Sequence, residues 1–226
     1  MTHLSYMNKM IKLINFILLF LSFSLTNVIA KDVNVFSFTE EELLSLKTKK
    51  VRGADHNTKY LIGENEKGNF LKAISNNAAS GIGKDVKINL IKTPYINITW
   101  KIEKNLLGIL ENSKKGHDFA ARVFVIKKTG LTPLSNKAMN YVFSSNSEIN
   151  SSWRSPYTKN SIDYVLSTTK KDFNKWVTVK ANVKEHFKKF HDLDVEELNG
   201  VAIMTDTDNS KLNAIAYYQN IYFSAE

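Results

Sequence analysis

Short apolar runs separated by turn residues fill the sequence from residue 60 onward, and this spacing limits the fold more than any other feature. Ten such runs are candidate strands, at 60–63, 70–75, 86–91, 95–102, 119–127, 138–144, 162–168, 177–181, 201–205 and 214–223, after an opening strand at 33–38. Strands at such short intervals, without the alternation of strands and helices that builds a parallel sheet, are typical of all-β domains. The sequence therefore predicts one antiparallel β-sandwich of jelly-roll type, in which 214–223 is the strand that closes the sheet.

Two short helices interrupt this pattern. Thr39 precedes three glutamates and an apolar face, which predicts a helix over 40–46 with Thr39 as its N-cap. Apolar residues recur at helical spacing over 183–191, with Asn182 as the predicted cap. The pair Gly81 and Gly83 matches no complete glycine-rich motif, so we interpret it as a turn.

Residues 1–30 have the pattern of a signal peptide, with Lys9 and Lys12 before an apolar run at 13–25 and small residues at Val28 and Ala30. We expect cleavage after Ala30, which leaves residues 31–226 as a single domain without a transmembrane anchor. The sequence contains no cysteine, so disulfides, thiol catalysis and lipoprotein anchoring are excluded. Together these features predict a periplasmic or secreted bacterial protein.

Lysine dominates the charge. The formal net charge is +9, and it falls to +7 when Lys9 and Lys12 are removed with the signal segment. Two interpretations stay open: a solvated surface, or attraction to an anionic polymer such as an acidic polysaccharide of the cell envelope. Export argues against a nucleic-acid partner.

Several clusters in the expected order resemble a bacterial secreted family, the domain-of-unknown-function family 3047. They are Trp100 after Pro94, the block 118–123, the block 140–142, Trp153 with 156–158, the block 204–209, and 216–218. The segment 217–223 is also similar to the last strand of galactose-binding-like sandwiches, a fold shared by many carbohydrate-binding modules. The resemblance implies a galactose-binding-like variant of the predicted sandwich and names no mechanism.

Arg122 lies in a predicted strand and shares a face with apolar residues, so its charge needs a carboxylate partner or a ligand. The neighbouring Asp118 is a further candidate for ligand binding. Asp206 and Asp208 are the obvious partners for Arg122 on another strand. A structural ion pair and a ligand clamp both stay open as interpretations.

The run that ends at Asp206 is followed by a turn rich in side-chain oxygens. Asp206, Asp208 and Asn209 are candidate calcium ligands, because calcium takes six to eight oxygens. The alternative is a turn whose aspartates accept hydrogen bonds from backbone amides. An EF-hand is excluded because the glycine and glutamate positions do not match, and no other cofactor is expected.

Aromatic residues give the last set of candidates. Trp100 alternates with isoleucines and is predicted to lie in the core. Trp153, in a polar stretch that predicts a loop, is the best single candidate for ligand contact, and anchoring of that loop is the alternative. Tyr157 and Tyr141 are further candidates for ligand contact.

Three functions stay open at this stage. The first is a non-catalytic module that binds a glycan or a similar polar ligand. The second is a polysaccharide-acting enzyme that uses Asp118, Asp206 or Asp208 as acid and base. The third is an envelope scaffold without a small ligand. No serine-hydrolase, zinc-protease or phosphate-loop motif occurs in the sequence.

Overall fold

In the computed structural model, residues 30–226 are described, and they form two β-sheets packed face to face. The expected signal segment, residues 1–30, lies outside the described residues apart from Ala30. Sheet A consists of β1 (Val33–Asn34), β3 (Lys59–Asn65), β4 (Gly68–Asn76), β6 (Tyr95–Lys104), β11 (Val177–Asn182) and β13 (Asn213–Ser224). Sheet B consists of β2 (Lys47–Lys50), β5 (Ala79–Asn89), β7 (Ala121–Lys127), β8 (Lys137–Ser144), β9 (Ser152–Arg154), β10 (Ser161–Thr168) and β12 (Glu197–Asp206).

The strand order is β11-β6-β13-β4-β3 in sheet A, with β1 beside β13, and β2-β5-β12-β7-β8-β10-β9 in sheet B. All neighbours are antiparallel except β8 and β10, which are parallel because the chain returns through residues 145–160 before β10 begins. The predicted all-β sandwich is confirmed. The parallel pair is a difference from the purely antiparallel expectation.

Residues 30–226 contain three α-helices beside the sheets: α1 (Glu40–Ser45), α2 (Thr169–Asp172) and α3 (Val183–His191). Thr39 Oγ1 accepts the amide of Glu42 at 3.1 Å, and Asn182 Oδ1 accepts the amide of Glu185 at 3.1 Å. Both predicted caps are confirmed. The apolar face of α3 is buried in the core, because exposure of its apolar side chains to water would be unfavourable.

The core lies between the two sheets and is centred on large aromatic side chains. Trp100 on β6 is fully buried, as predicted, and its indole N–H donates to Ser167 Oγ at 2.9 Å. Tyr218 on β13 is also fully buried, and its hydroxyl donates to the carbonyl of Met204 at 2.8 Å. These hydrogen bonds satisfy the polar atoms that come into the core with the rings.

Three expectations about strands need correction. β13 does not close a sheet; it lies in the middle of sheet A, hydrogen-bonded to β6 on one side and β4 on the other. Gly81 and Gly83 are not a turn but lie inside β5, where neighbouring strands supply the hydrogen bonds that keep the chain extended. β2 and β9 were not predicted, since strands of four and three residues are too short to show alternation.

Within residues 30–226, no helix is long and apolar enough to cross a membrane.

Candidate functional site

The outward face of sheet B presents side chains in rows that cross the strands. Residues two apart on one strand share a face, and the registers of neighbouring strands align those residues. One row runs through Lys47, Gly83, Ala202, Phe124, Asn140, Asp163 and Trp153. The next row runs through Lys49, Gly81, Met204, Arg122, Val142 and Val165. Candidate residues that are far apart in the sequence therefore share one face of sheet B, which is exposed at Lys47 and Lys49 and covered at Asn140, Asp163 and Val142.

The first half of these rows forms an open groove of about 720 Å³. Its floor is low because Gly81, Gly83 and Gly200 carry no side chain and Ala202 carries a methyl group. β2 forms one wall, and Phe124 with Ile126 on β7 forms the other. A ligand in the groove can contact the apolar side chains of the β7 wall and approach the backbone of the floor.

The two central glycines of the groove tolerate side chains differently. A Cβ at Gly83 would lie 2.7 Å from the Cβ of Ala202, which is closer than atoms can pack. A Cβ at Gly81 would have Ile203 O as its nearest atom, at an ordinary 3.4 Å. Gly81 can therefore be replaced to fill the groove without breaking the sheet.

A buried polar cluster lies beyond the groove, where Met204 meets Arg122. Arg122 Nη2 donates to Asp206 Oδ2 at 2.5 Å and contacts the Met204 sulfur at 3.1 Å. The two charged side chains belong to neighbouring strands, β7 and β12, and are 4% and 1% exposed. The predicted pairing of Arg122 with a carboxylate on another strand is confirmed, and it is an ion pair inside the protein.

Asp118 fixes the turn after β12. One of its carboxylate oxygens accepts the backbone amide of Asn209 at 3.2 Å, and the other accepts the amide of Ser210 at 2.6 Å. The side-chain amide of Asn209 also donates to Asp118, at 2.9 Å. Asp118 is completely buried and holds the turn in place by accepting hydrogen bonds from its backbone amides. This is the role that the sequence suggested as an alternative for Asp206 and Asp208.

Asp118, Asp206 and Asp208 lie close enough to influence one another, with one oxygen of each within 4.8 Å of the others. Burial raises the pKa of Asp206 well above its ordinary value, and the negative charge of Asp118 adds to the effect while Arg122 opposes it. Burial and Asp118 also raise the pKa of the half-buried Asp208. One guanidinium faces three carboxyl groups, so the cluster has an excess of negative charge to neutralise.

Two of the three candidate calcium ligands, Asp206 and Asn209, have protein partners. Asp206 Oδ1 accepts the amide of Phe119 at 3.2 Å, while its other oxygen binds Arg122. Asn209 Oδ1 accepts the hydroxyl of Tyr157. Carboxylate oxygens have further lone pairs, so the three aspartates could hold a hard cation only beside the positive charge of Arg122.

Tyr157 covers this cluster from the solvent side and is 56% exposed. Its ring meets that of His117 edge-on at 5.5 Å, and its hydroxyl oxygen, which has one hydrogen to share between Asn209 Oδ1 and Lys114 O, lies 3.0 Å from Lys114 O. His117 Nε2 in turn lies 2.8 Å from Asp163 Oδ2. Of the predicted ligand-binding residues, Tyr157 is the one with the largest accessible surface.

Trp153 lies in β9, not in a loop, because its backbone pairs with Asp163 on β10. Its ring stacks on Phe119 with centroids 6.4 Å apart, and its buried indole nitrogen has no hydrogen-bond partner in the described chain. The ring is half-buried, so it anchors β9 against the loop before β7 while part of it stays accessible.

Tyr141 needs correction as a surface candidate. It shares the inward face of β8 with Met139 and Phe143 and is fully buried. Its hydroxyl lies 3.1 Å from Nδ1 of His186, whose pKa burial lowers to about 4. Alternation along β8 turns Tyr141 toward the core, so a surface ligand cannot reach it.

The groove was not predicted from the sequence. Its walls and floor come from β2, β5, β7 and β12, and only the sheet register places their small residues side by side. A usable signal existed in the spacing of Gly81 and Gly83, since glycines two apart in a strand leave one face of it bare.

Two of the solved structures that match this chain are a carbohydrate-binding module and a cellulase. The family 30 carbohydrate-binding module of the cellulosomal cellulase Cel9D-Cel44B of Clostridium thermocellum matches with a TM-score of 0.50 and 8% identity, over 87% of this chain and 99% of the module. A thermostable cellulase derived from Cel12A of Rhodothermus marinus matches with a TM-score of 0.43 and 12% identity, over 78% of this chain and 94% of that one. At 8% identity, the similarity to the first of these concerns the fold alone.

Among curated proteins, none matches the chain. The family model described as "Protein of unknown function (DUF3047)" matches residues 45–222, which include every strand of sheet B and the whole of the groove and the polar cluster. The chain therefore belongs to the DUF3047 family.

Proposed function

We propose that the protein is an exported, non-catalytic β-sandwich that binds a glycan in the groove of sheet B. The observation that carries the proposal is the groove itself, because its volume of about 720 Å³ is that of a typical ligand site. Its apolar residues can contact the C–H faces of sugars, and its lysines and asparagines can bond their hydroxyl groups.

The fold adds support by analogy. The Clostridium thermocellum module is named as carbohydrate-binding, and its sandwich resembles this one. A shared sandwich does not by itself define a ligand, so the proposal depends on the groove.

The burial of Asp118 and Asp206 argues against their use as catalytic acid and base. A general acid or base has to reach the substrate, but Asp118 and Asp206 are 0% and 1% exposed. Their oxygens are also engaged by backbone amides and by Arg122. In this proposal the cluster supports the turn beside the groove, with the accessible parts of Tyr157 and Trp153 at its outer edge.

The test is a variant that fills the groove. Gly81→Leu places an aliphatic side chain in the groove with acceptable Cβ contacts, and it removes a strand glycine that itself weakens the strand. Lys59→Leu is the matched control, since it adds a leucine to the exposed end of β3 in the other sheet. Binding would be measured by affinity electrophoresis and calorimetry against a panel of neutral and acidic polysaccharides.

We expect at least one polysaccharide to bind the wild-type protein and the Lys59→Leu variant equally. Gly81→Leu should bind it at least about tenfold more weakly, a change of about 1.4 kcal/mol, with an undiminished melting temperature. Failure of every polysaccharide to bind, or full binding by a folded Gly81→Leu protein, would refute the proposal and favour a scaffold.

Export is proposed on the pattern of residues 1–30. A fusion of this segment to alkaline phosphatase should give periplasmic phosphatase activity. Activity confined to the cytoplasm would refute it.

A further inference from the structure

Lysines surround the groove, and a single acidic residue faces them. Its lining includes Lys47, Lys49, Lys50 and Lys128, with Asp85 as the one acid among the lining residues. A fifth lysine of the lining, Lys84, is already neutralised by Glu42 at 2.8 Å, outside the groove. Four lysines against one aspartate leave a formal excess of three positive charges at the groove.

Asp85 shows how a carboxylate fits between the two walls. Lys47 Nζ lies 3.0 Å from Asp85 Oδ2, and Lys128 Nζ lies 3.1 Å from Asp85 Oδ1. Lys47 belongs to β2 and Lys128 directly follows β7, so the two lysines stand on opposite sides of the groove. All three side chains are more than half exposed, so these ion pairs are weak and exchangeable.

Lys49 extends the same positive surface along the groove. It lies two residues after Lys47, so both side chains share a face of β2 about 7 Å apart along the strand. Within residues 30–226 it has no ion-pair partner. A ligand with repeated negative charges would contact Lys47 and Lys128, which Asp85 bridges, and also Lys49, which has no ion-pair partner among residues 30–226.

We propose that the groove binds an acidic polysaccharide, whose uronate carboxylates contact Lys49 and displace Asp85 from Lys47 and Lys128. The proposal rests on the glycan-binding function above and names its substrate class. Asp85 acts as an internal competitor that occupies the lysines when no ligand carboxylate is bound.

Two other anionic partners fit the groove less well. Phe124 is the one aromatic side chain of the lining, whereas single-stranded nucleic acids are held by stacking of successive bases on several aromatic rings. The glycines of the floor lie below walls of lysine and Phe124, so a flat membrane surface would not reach them. A narrow polymer with carboxylates along its length can reach the glycines of the floor and contact the lysines of the walls.

The experiment compares Asp85→Asn with Asp55→Asn on polygalacturonate and on neutral dextran. Asp55 is the matched control because it is equally exposed, at 63% against 61%, and pairs with Lys211 away from the groove. Asp85→Asn should bind polygalacturonate about two- to fivefold more tightly than wild type, since it releases two lysines and removes a like charge. Asp55→Asn should bind as wild type does, and Lys49→Gln should bind more weakly by about the same factor.

Binding of polygalacturonate should also be lost at about 1 M salt, where screening is nearly complete at contact distance. Two results would overturn the inference and leave the proposed glycan binding intact. One is that wild type binds dextran as tightly as polygalacturonate. The other is that Asp85→Asn binds polygalacturonate no more tightly than Asp55→Asn does. Polygalacturonate binding that persists in Gly81→Leu would place the polymer outside the groove and overturn the inference. If no polysaccharide binds at all, the proposed function fails and the inference fails with it.

Discussion

Replacing Arg122 with methionine removes the positive charge from the buried cluster and leaves three carboxyl groups facing one another. The carboxylate oxygens of the cluster lie within 4.8 Å of one another, and two like charges at that distance repel by about 3 kcal/mol at an effective dielectric constant of about 20. Loss of one partner of a buried ion pair typically costs about 3–5 kcal/mol. In a chain of this size each kcal/mol lowers the melting temperature by about 2–4 °C, so Arg122→Met should lower it by about 6–20 °C at pH 7.

The assay is thermal and denaturant unfolding at neutral and mildly acidic pH. Arg154→Met is the control, because Arg154 is exposed and bonds only the carbonyl of Lys159 within the described chain. It should melt within about 2 °C of wild type, as surface substitutions usually do. The double variant Arg122→Met with Asp206→Asn should lose less stability than Arg122→Met alone, since it also removes one of the repelling charges.

Mild acid should recover part of the stability of Arg122→Met, because protonated aspartates no longer repel. An Arg122→Met protein that melts as wild type does would refute the structural role of the ion pair. Arg122 would then be a free cation, and the ligand-clamp interpretation would return.

Three further predictions follow from the caps and carboxyl groups. The pKa of Asp208 is raised in the folded state, so its protonation stabilises the fold below the unfolded pKa of about 3.8, and this stabilisation is lost as pH rises through the folded pKa. Asp208→Asn should therefore be more stable than wild type at pH 8, and the difference in stability should disappear on acidification. A difference that grows in acid would contradict the raised pKa. Calcium or a chelator should leave the melting temperature unchanged, because Asp118 and Asp206 already have hydrogen-bond partners and Arg122 already provides a positive charge. A shift in melting temperature that a chelator reverses and Asp208→Asn abolishes would instead establish a metal site. Asn182→Ala should cost about 1 kcal/mol, or about 2–4 °C, through loss of the cap on α3, and unchanged unfolding would show that packing alone holds the helix.

Features fixed by neighbours in the chain were predictable from the sequence. Helix α3 has the predicted bounds because Asn182 caps it and its apolar spacing is local. The pairing of Arg122 followed from a charge on an otherwise apolar strand face, which requires a partner wherever the strands lie.

Features that depend on which strands become neighbours were not predictable. The outward face of β8 is as apolar at Val142 as the inward face is at Tyr141, so alternation did not reveal which side met the core. The groove exists because β5 lies between β2 and β12, and that order is absent from any local pattern. The parallel pairing of β8 and β10 is hidden in the same way.

Strand β2 is one of the two outer strands of sheet B, and its exposed backbone could pair with a strand of another molecule. Three of its four residues are lysines, and charged side chains on an edge strand oppose that kind of association. The lysines in the wall of the groove therefore also disfavour pairing of this edge with the edge of a second copy. Neutralising Lys49 alone leaves two lysines to do this, whereas neutralising all three should make the protein prone to aggregate through this edge.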